Sequence, residues 1–333
     1  MFDKIKIMEM KILGNTNITV TPFGMGVLTI GPSQLDRSLE EGARLIRYAM
    51  EQGVSFLDTA ESYRTYPYIK RALKELERSF AGGALPRPVV SSKSLAQDYK
   101  GMNRSIQDCR AALGLDQIDI FLLHEVVQAP DFKNRSGAWA CLQDAKAKGY
   151  VKAVGISTHH VDTALEAVNT PGIDILFPLI NFRSMGIRKD KTEGTREEME
   201  TAICKAAERG IGVFAMKALG GGNLVREYIQ ALDYVTALPG IQSVMLGFGC
   251  KKDVDDAVAY FEGRLTEDYI PDVSKKRMFV DRGDCAGCGA CISHCTSKAI
   301  SFDDEGIAVI DAQKCIMCGY CVPVCPTRAM LFL

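Results

Sequence analysis

A chain of 333 residues with 47% hydrophobic and 24% charged side chains is long enough for one large domain and a second small one, in the composition range of an ordinary globular protein. A formal net charge of −1 supplies no basic face for nucleic acid or anionic lipid, so neither is expected as a partner. No apolar run approaches the ~20 residues of a membrane helix, and the start, MFDKIKIMEMKIL, has no small-residue cleavage site, so a cytoplasmic chain without a leader is expected.

In chain order, residues 10–20 (MKILGNTNITV) read as a hairpin around a polar Gly-Asn-Thr-Asn centre. Short β-rich runs follow at 22–27, 54–58, 88–93, 118–123, 151–156, 173–180, 211–216 and 243–247. Helical patterns such as 38–52, 66–80, 101–113, 137–148, 195–209 and 226–237 lie between them. Eight β/α units predict a closed (β/α)8 TIM barrel over residues 1–262. An open doubly wound sheet is the weaker alternative, because no G-x-G-x-x-G follows the first strand. Residues 263–280, with a proline and mixed charges, read as a linker, and residues 281–333 as a small α+β module.

That module contains one cysteine pattern twice. Cys285, Cys288, Cys291 and Cys295 form C-x2-C-x2-C-x3-C, and Cys315, Cys318, Cys321 and Cys325 repeat it 30 residues later. Clustered cysteines without an export signal favour metal ligation over disulfides. This is the spacing of bacterial dicluster ferredoxins, in which the fourth cysteine of each run serves the other cluster. It predicts two [4Fe-4S] clusters, one on Cys285, Cys288, Cys291 and Cys325, the other on Cys315, Cys318, Cys321 and Cys295. Each run precedes a short strand pattern, AISFD or AMLFL, so the module is an internal repeat. Its small size makes the clusters folding staples as well, yet two adjacent centres favour electron transfer. One departure is Thr296, where Cys325 is followed by Pro326. Cys109, Cys141, Cys204 and Cys250 are dispersed and expected in the core.

Barrel enzymes carry their chemistry at the C-terminal ends of strands. Here the second strand ends in Asp58 with Tyr63 just after it, the third in Lys93, and the fourth runs into His124. A free Tyr hydroxyl titrates near ~10, and a neighbouring ammonium is expected to lower that value, with a carboxylate holding the ammonium in place. His124 would hydrogen-bond a carbonyl oxygen and orient it toward Tyr63, an arrangement for protonating oxygen while hydride reaches carbon. Each residue alone is unremarkable; four at one rim are not.

Residues 10–260 resemble the aldo-keto reductase superfamily, through FLDTAESY (56–63), SSK (91–93), FLLHEV (121–126), AVGIS (153–157) and AMKALGGG (215–222). The last, with the trailing cysteine region, resembles the iron-sulfur branch. The resemblance implies the catalytic tetrad Asp58, Tyr63, Lys93 and His124, a small carbonyl or alcohol substrate, and NADP(H) as hydride partner. It also implies nicotinamide contacts at Ser157 and Asn181, pyrophosphate contact at Lys217, a Gly-rich phosphate turn at Gly247, and a 2′-phosphate site at Lys251 and Lys252. Several positions depart from the family: Thr158 for Asn, Phe177 for Gln, Ile180 for an aromatic residue and Ala257 for Asn.

NADP(H) moves two electrons together, whereas each [4Fe-4S] centre moves one, and flavin is the usual converter. No flavin motif is visible. Three arrangements are consistent with the sequence: ordinary NADP(H)-dependent carbonyl reduction; a flavin, or a substrate reduced in single-electron steps, inside the barrel; and a flavoprotein or ferredoxin partner that exchanges electrons with the module. Against all enzyme readings stands an electron-transfer subunit whose barrel is a retained scaffold.

Overall fold

The computed structural model describes residues 8–127 and 129–333. Residues 1–7, part of the segment read for a leader, lie outside it. Eight parallel strands close on themselves in sequence order: β1 (Phe23–Gly26), β2 (Phe56–Asp58), β3 (Val89–Ser94), β4 (Ile118–Leu123), β5 (Val151–Thr158), β6 (Ile175–Pro178), β7 (Gly212–Ala215) and β8 (Ile241–Gly247), with β8 pairing back onto β1. A helix follows each strand: α1 (Leu39–Glu51), α2 (Tyr66–Glu75), α3 (Tyr99–Leu113), α4 (Ser136–Ala147), α5 (Val161–Asn169), α6 (Arg196–Glu208), α7 (Tyr228–Ala237) and α8 (Lys251–Phe261). The expected (β/α)8 barrel is therefore present.

Local sequence explains the helix boundaries. Ser38 with Glu41 and Thr195 with Glu198 form reciprocal capping boxes that start α1 and α6. On α1 the buried residues Gly42, Leu45, Ile46, Ala49 and Met50 recur every three or four positions and face the sheet. Inside the barrel, Phe56, Ile120, Leu122, Ile175, Phe177, Phe214 and Met245 form an apolar plug, with Phe56–Phe214 and Phe177–Phe214 ring centroids 5.0 and 4.2 Å apart. The hairpin Lys11–Ile12/Thr19–Val20 closes the N-terminal mouth, inserting Leu13, Ile18 and Val20 beneath that plug. The C-terminal mouth is left for chemistry.

The module also departs from the expected boundary. Residues 278–280, read as the end of the linker, form strand β9 (Met278–Val280). Strands β10 (Ile300–Phe302), β11 (Ala308–Ile310) and β12 (Met330–Phe332) complete it, β9 pairing antiparallel with β12 and β10 with β11. The 30-residue shift that relates the cysteine runs also carries β9 onto β11 and β10 onto β12. It equally relates the hydrogen bond from Asp281 N–H to Ala329 O (2.7 Å) to that from Asp311 N–H to Ala299 O (2.8 Å). The repeat thus begins at 278, and its halves exchange strands.

Cys109 and Cys141 are buried as expected, and Cys204 is half-buried. Cys250 is exposed, correcting the core expectation, because it is the N-cap of α8 and stands outside the apolar stripe of that helix. Among the described residues no helix is long and apolar enough to cross a membrane.

Candidate active site

Strand parity assembles the tetrad. Side chains alternate in and out along a strand, so the residues two beyond the inward Phe56 and Leu122 are Asp58 and His124, and Lys93 comes two after Ser91 on β3. Tyr63 is brought over them by a single 3₁₀ turn, Glu61–Tyr63, which Arg64 ends in the left-handed region at φ +58°.

The Lys93 ammonium donates to Asp58 Oδ1 (2.9 Å), Asp58 Oδ2 (2.8 Å) and the Thr59 carbonyl (2.7 Å), which uses all three of its hydrogens. It lies over the face of the Tyr63 ring, 4.8 Å from the centroid. Tyr63 Oη is 3.3 Å from His124 Nε2, the two rings edge to face. Burial pushes Asp58 up and Lys93 down, and their mutual attraction opposes both shifts.

The expected lowering of the Tyr63 pKa is not what this geometry gives. Burial, then the carboxylates Asp58, Asp284, Glu125 and Asp281, hold Tyr63 well above the ordinary tyrosine value. The reason is that Asp58 offsets the Lys93 charge and no ammonium hydrogen reaches the phenol oxygen. Tyr63 therefore remains a neutral O–H donor. His124 is pushed well below the ordinary imidazole value by burial, then by Lys93, His159 and Arg135. Its Nδ1 is buried without a hydrogen-bond partner. The proton belongs on Nε2, since an unmatched lone pair costs less than an unmatched N–H.

Sequence reasoning missed Arg135. Its side chain is 1% exposed, and its guanidinium donates to the carbonyls of Ser94 (2.9 Å), Ala96 (3.1 Å) and His124 (2.9 Å). It ties the ends of β3 and β4 together behind the imidazole. Nothing in the polar stretch 127–137 marks it out among other charges.

The residues expected to hold a nicotinamide are engaged elsewhere. Ser157 Oγ accepts the Glu125 N–H at 2.9 Å, and Thr158 Oγ1 donates to Val126 O at 2.6 Å. Asn181 is fully buried, its Oδ1 accepting the N–H groups of Arg183 (3.2 Å) and Met185 (2.9 Å) while Nδ2 donates to Met185 O. Lys217, at φ +58°, lies 3.6 Å from Asp284 of the module. Gly247 lines a cavity of ≈ 190 Å³ that opens against Asp58 and Tyr63. Lys251 stacks over Tyr48 at 4.5 Å, and Lys252 is clasped by Asp256 and Tyr269, so neither lines that cavity. Lys276, from the expected linker, does line it and pairs with Asp253 at 3.1 Å. As arranged, this groove does not fit a nicotinamide dinucleotide.

A second cavity of ≈ 480 Å³ separates the rim from the module, with Glu125, His159, Lys217, Asp284 and Arg328 in its walls. The module itself gathers its cysteines across the repeat. Cys285, Cys288, Cys291 and Cys325 wall one small space, and Cys295, Cys315, Cys318 and Cys321 another. Cys291 is pushed up by burial and then by Cys325, Cys285 and Cys288, which places those four sulfurs within electrostatic reach. Among the described residues no group of three or more His, Cys, Asp or Glu side chains closes on a single-ion site. The N–H groups of Ala299 and Ala329 donate to Cys295 Sγ and Cys325 Sγ, both at 3.2 Å, repeating the same hydrogen bond in each half.

A profile of the aldo/keto reductase family matches residues 22–235, and one of a 4Fe-4S dicluster domain matches residues 284–329. Methylglyoxal reductase DkgA of Escherichia coli (strain K12) is 27% identical over 188 residues, 55% of this chain and 64% of that protein, so the chain spans under two thirds of that relative. Among solved structures, the aldo-keto reductase AKR11C1 from Bacillus halodurans superposes with a TM-score of 0.63 at 18% identity, covering 78% of this chain and 94% of that one. The Bombyx mori aldo-keto reductase AKR2E4 in complex with NADP gives 0.59 at 19% identity, covering 78% and 90%. The chain belongs to the aldo/keto reductase family and ends in a 4Fe-4S dicluster domain.

Proposed function

We propose that this chain is an oxidoreductase that interconverts a small carbonyl compound and its alcohol at Tyr63, and that its C-terminal module carries two [4Fe-4S] clusters. The observation that carries the reading is the Tyr63–His124 pair at 3.3 Å above the buried Lys93–Asp58 ion pair. Reducing a carbonyl to an alcohol takes two electrons and two protons. One proton goes to oxygen, and the other reaches carbon either with the electrons as hydride or from water when the electrons come singly. The neutral His124, with its hydrogen on Nε2, orients the carbonyl oxygen, and Tyr63 delivers a proton to it as charge builds there. Lys93 and Asp58 keep the phenol in place and limit the cost of a transient phenolate.

Cys285, Cys288, Cys291 and Cys325 would hold one cluster, and Cys295, Cys315, Cys318 and Cys321 the other; bound clusters supply single electrons. Ile316, Met317 and Tyr320, 65%, 44% and 59% exposed around the second quartet, give a flavoprotein or ferredoxin partner an apolar contact. The second reading, hydride from NADP(H), is favoured by the relative solved with NADP. It requires the groove beside Tyr63 to open.

The test is Tyr63→Phe in cluster-loaded protein, assayed over a panel of small aldehydes and ketones with either a reduced viologen or NADPH as reductant. Turnover is expected to fall by about 10²–10⁴, the usual contribution of a general acid. Turnover equal to the unaltered chain would remove Tyr63 from the chemistry.

A further inference from the structure

The dinucleotide groove implied by the family resemblance runs from Phe177 and Asn181 past Tyr63 to Gly247 and the start of α8. Two parts of this chain stand in that path.

The first is strand β12. Leu331, Phe332 and Leu333 wall the cavity against Tyr63, together with Gly247, Phe248 and Tyr228. This strand is seated rather than laid loosely on the rim. Asn223 Nδ2 donates to Met330 O at 3.0 Å, and Arg277 and Leu333 exchange backbone hydrogen bonds of 2.7 and 3.0 Å. Gly222, at φ +87°, makes the seat, since a Cβ there would stand 1.9 Å from the Phe332 carbonyl oxygen. The glycine run 220–222 thus lets a strand of the module cross the barrel mouth.

The second is the Asp253 carboxylate. A free helix N-terminus binds phosphate through its unpaired N–H groups. At α8 a carboxylate already stands at that end: Gly249 N–H and Cys250 N–H both donate to Asp253 Oδ2, at 2.8 and 3.2 Å, and the Cys250 side chain caps the Asp253 N–H. Asp256 lines the same end of the cavity and is paired with Lys252, Lys276 is paired with Asp253, and Lys217 lies beside Asp284, so the lysines at this end are matched by carboxylates rather than free to meet a pyrophosphate. The remaining space of ≈ 190 Å³ is below the ~300 Å³ at which ligand pockets for drug-sized molecules begin, and a dinucleotide is larger still.

We infer that the intact chain excludes nicotinamide dinucleotides from its barrel, with its own C-terminal strand and the Asp253 carboxylate occupying the path that such a cofactor takes. The assignment of Tyr63 as proton donor is independent of this, because the tetrad is complete without the groove.

The experiment is a titration of the anaerobic, cluster-loaded full chain with NADPH, followed by nicotinamide fluorescence, beside two opened variants. One is Gly222→Val combined with Asp253→Asn; the other lacks residues 331–333 and also carries Asp253→Asn. The intact chain is expected to give no saturable signal up to about 1 mM, whereas pocket-bound cofactors commonly reach micromolar affinity. At least one opened variant with unchanged iron content and circular dichroism should gain saturable binding. Micromolar binding by the intact chain overturns the inference, whatever the variants do. Failure of both opened variants to bind, with fold and clusters intact, equally overturns the strand and Asp253 as the cause. A loss of carbonyl turnover in Tyr63→Phe is read separately and leaves this result untouched.

Discussion

Lys93 has three hydrogens and three acceptors, and that closed count sets what the tetrad can do. The ammonium acts on Tyr63 through the ring face while its charge is matched by Asp58. With the two side chains 1% and 6% exposed, removing one partner strands the other charge in apolar surroundings. Lys93→Met is therefore expected to destabilise the fold by about 3–5 kcal/mol, and Asp58→Asn with Lys93→Met by clearly less. Urea midpoints of the two single and one double variant check this; simple additivity would mean that the pair is not coupled. The histidines give a pH signature. His124 and His159 both have folded pKa values pushed well below the ordinary value by burial. Below about pH 6.5 the unfolded chain takes up protons that the folded chain refuses, so this stabilisation is full above that pH and is lost as pH falls beneath it. The slope is about 1.4 kcal/mol per pH unit for each histidine. His159→Asn should lose less stability than the unaltered chain between pH 6.5 and 5.5, and equal losses in the two would refute the assignment.

At the scale of elements, strands β1 to β8 and the tetrad were legible because period-two apolar runs fix both the strand and the parity of its last residues. Asp58, Lys93 and His124 each extend an inward-facing row. What stayed hidden depends on contacts distant in sequence. Strand β9 was read as linker because Met278–Val280 is too short to show alternation, although the 30-residue shift carried upstream points to it. The lysine pair at 251 and 252 matches a family position, but Tyr48 of α1 and Tyr269 beyond α8, which with Asp256 one turn along α8 turn those side chains away, come from elsewhere in the fold. Arg135 is the same kind of case, and its role is testable. It satisfies three buried carbonyls at the ends of β3 and β4, and its charge helps to keep His124 neutral. Arg135→Met leaves the Ala96 and His124 carbonyls unmatched, at about 1–3 kcal/mol for each that water does not reach, while the Ser94 carbonyl keeps the His124 N–H. As a positioning residue it should affect kcat more than KM. Its loss should also move the acidic limb of the kcat/KM profile upward, because His124 then protonates more easily. Arg135→Lys keeps the charge without the forked geometry, so it should restore the limb but not kcat. A profile unmoved in Arg135→Met would leave the arginine a purely structural tie.

For the whole molecule, the repeat decides how the two domains depend on each other. The module rests on the barrel rim through Gln34–Asp281 (2.8 Å), Lys217–Asp284 (3.6 Å), Arg328–Glu193 (2.9 Å) and the seat of β12 at Gly222. The barrel has its own closed sheet and apolar plug, whereas the module has four three-residue strands and a small core in which Met278, Ile300, Val322, Met330 and Phe332 join its cysteines. With the two proposed clusters bound, its stability would be largely theirs, and the crossed ligand sets would couple its halves. Cys325→Ser removes a ligand from the quartet that is otherwise in the first repeat, so iron should fall from about eight toward about four per chain while the second quartet keeps its cluster. Because Cys325 lies five residues before β12, the same change should loosen the strand that closes the barrel mouth. Hydrogen exchange should then accelerate in 278–280 and 330–332 together, since β9 and β12 are one antiparallel pair, and much less in 300–302 and 308–310. The barrel strands should keep their protection. Uniform acceleration through β1 to β8 would show that barrel and module fold as one cooperative unit, and unchanged exchange at 330–332 would show that β12 is held by its seat alone.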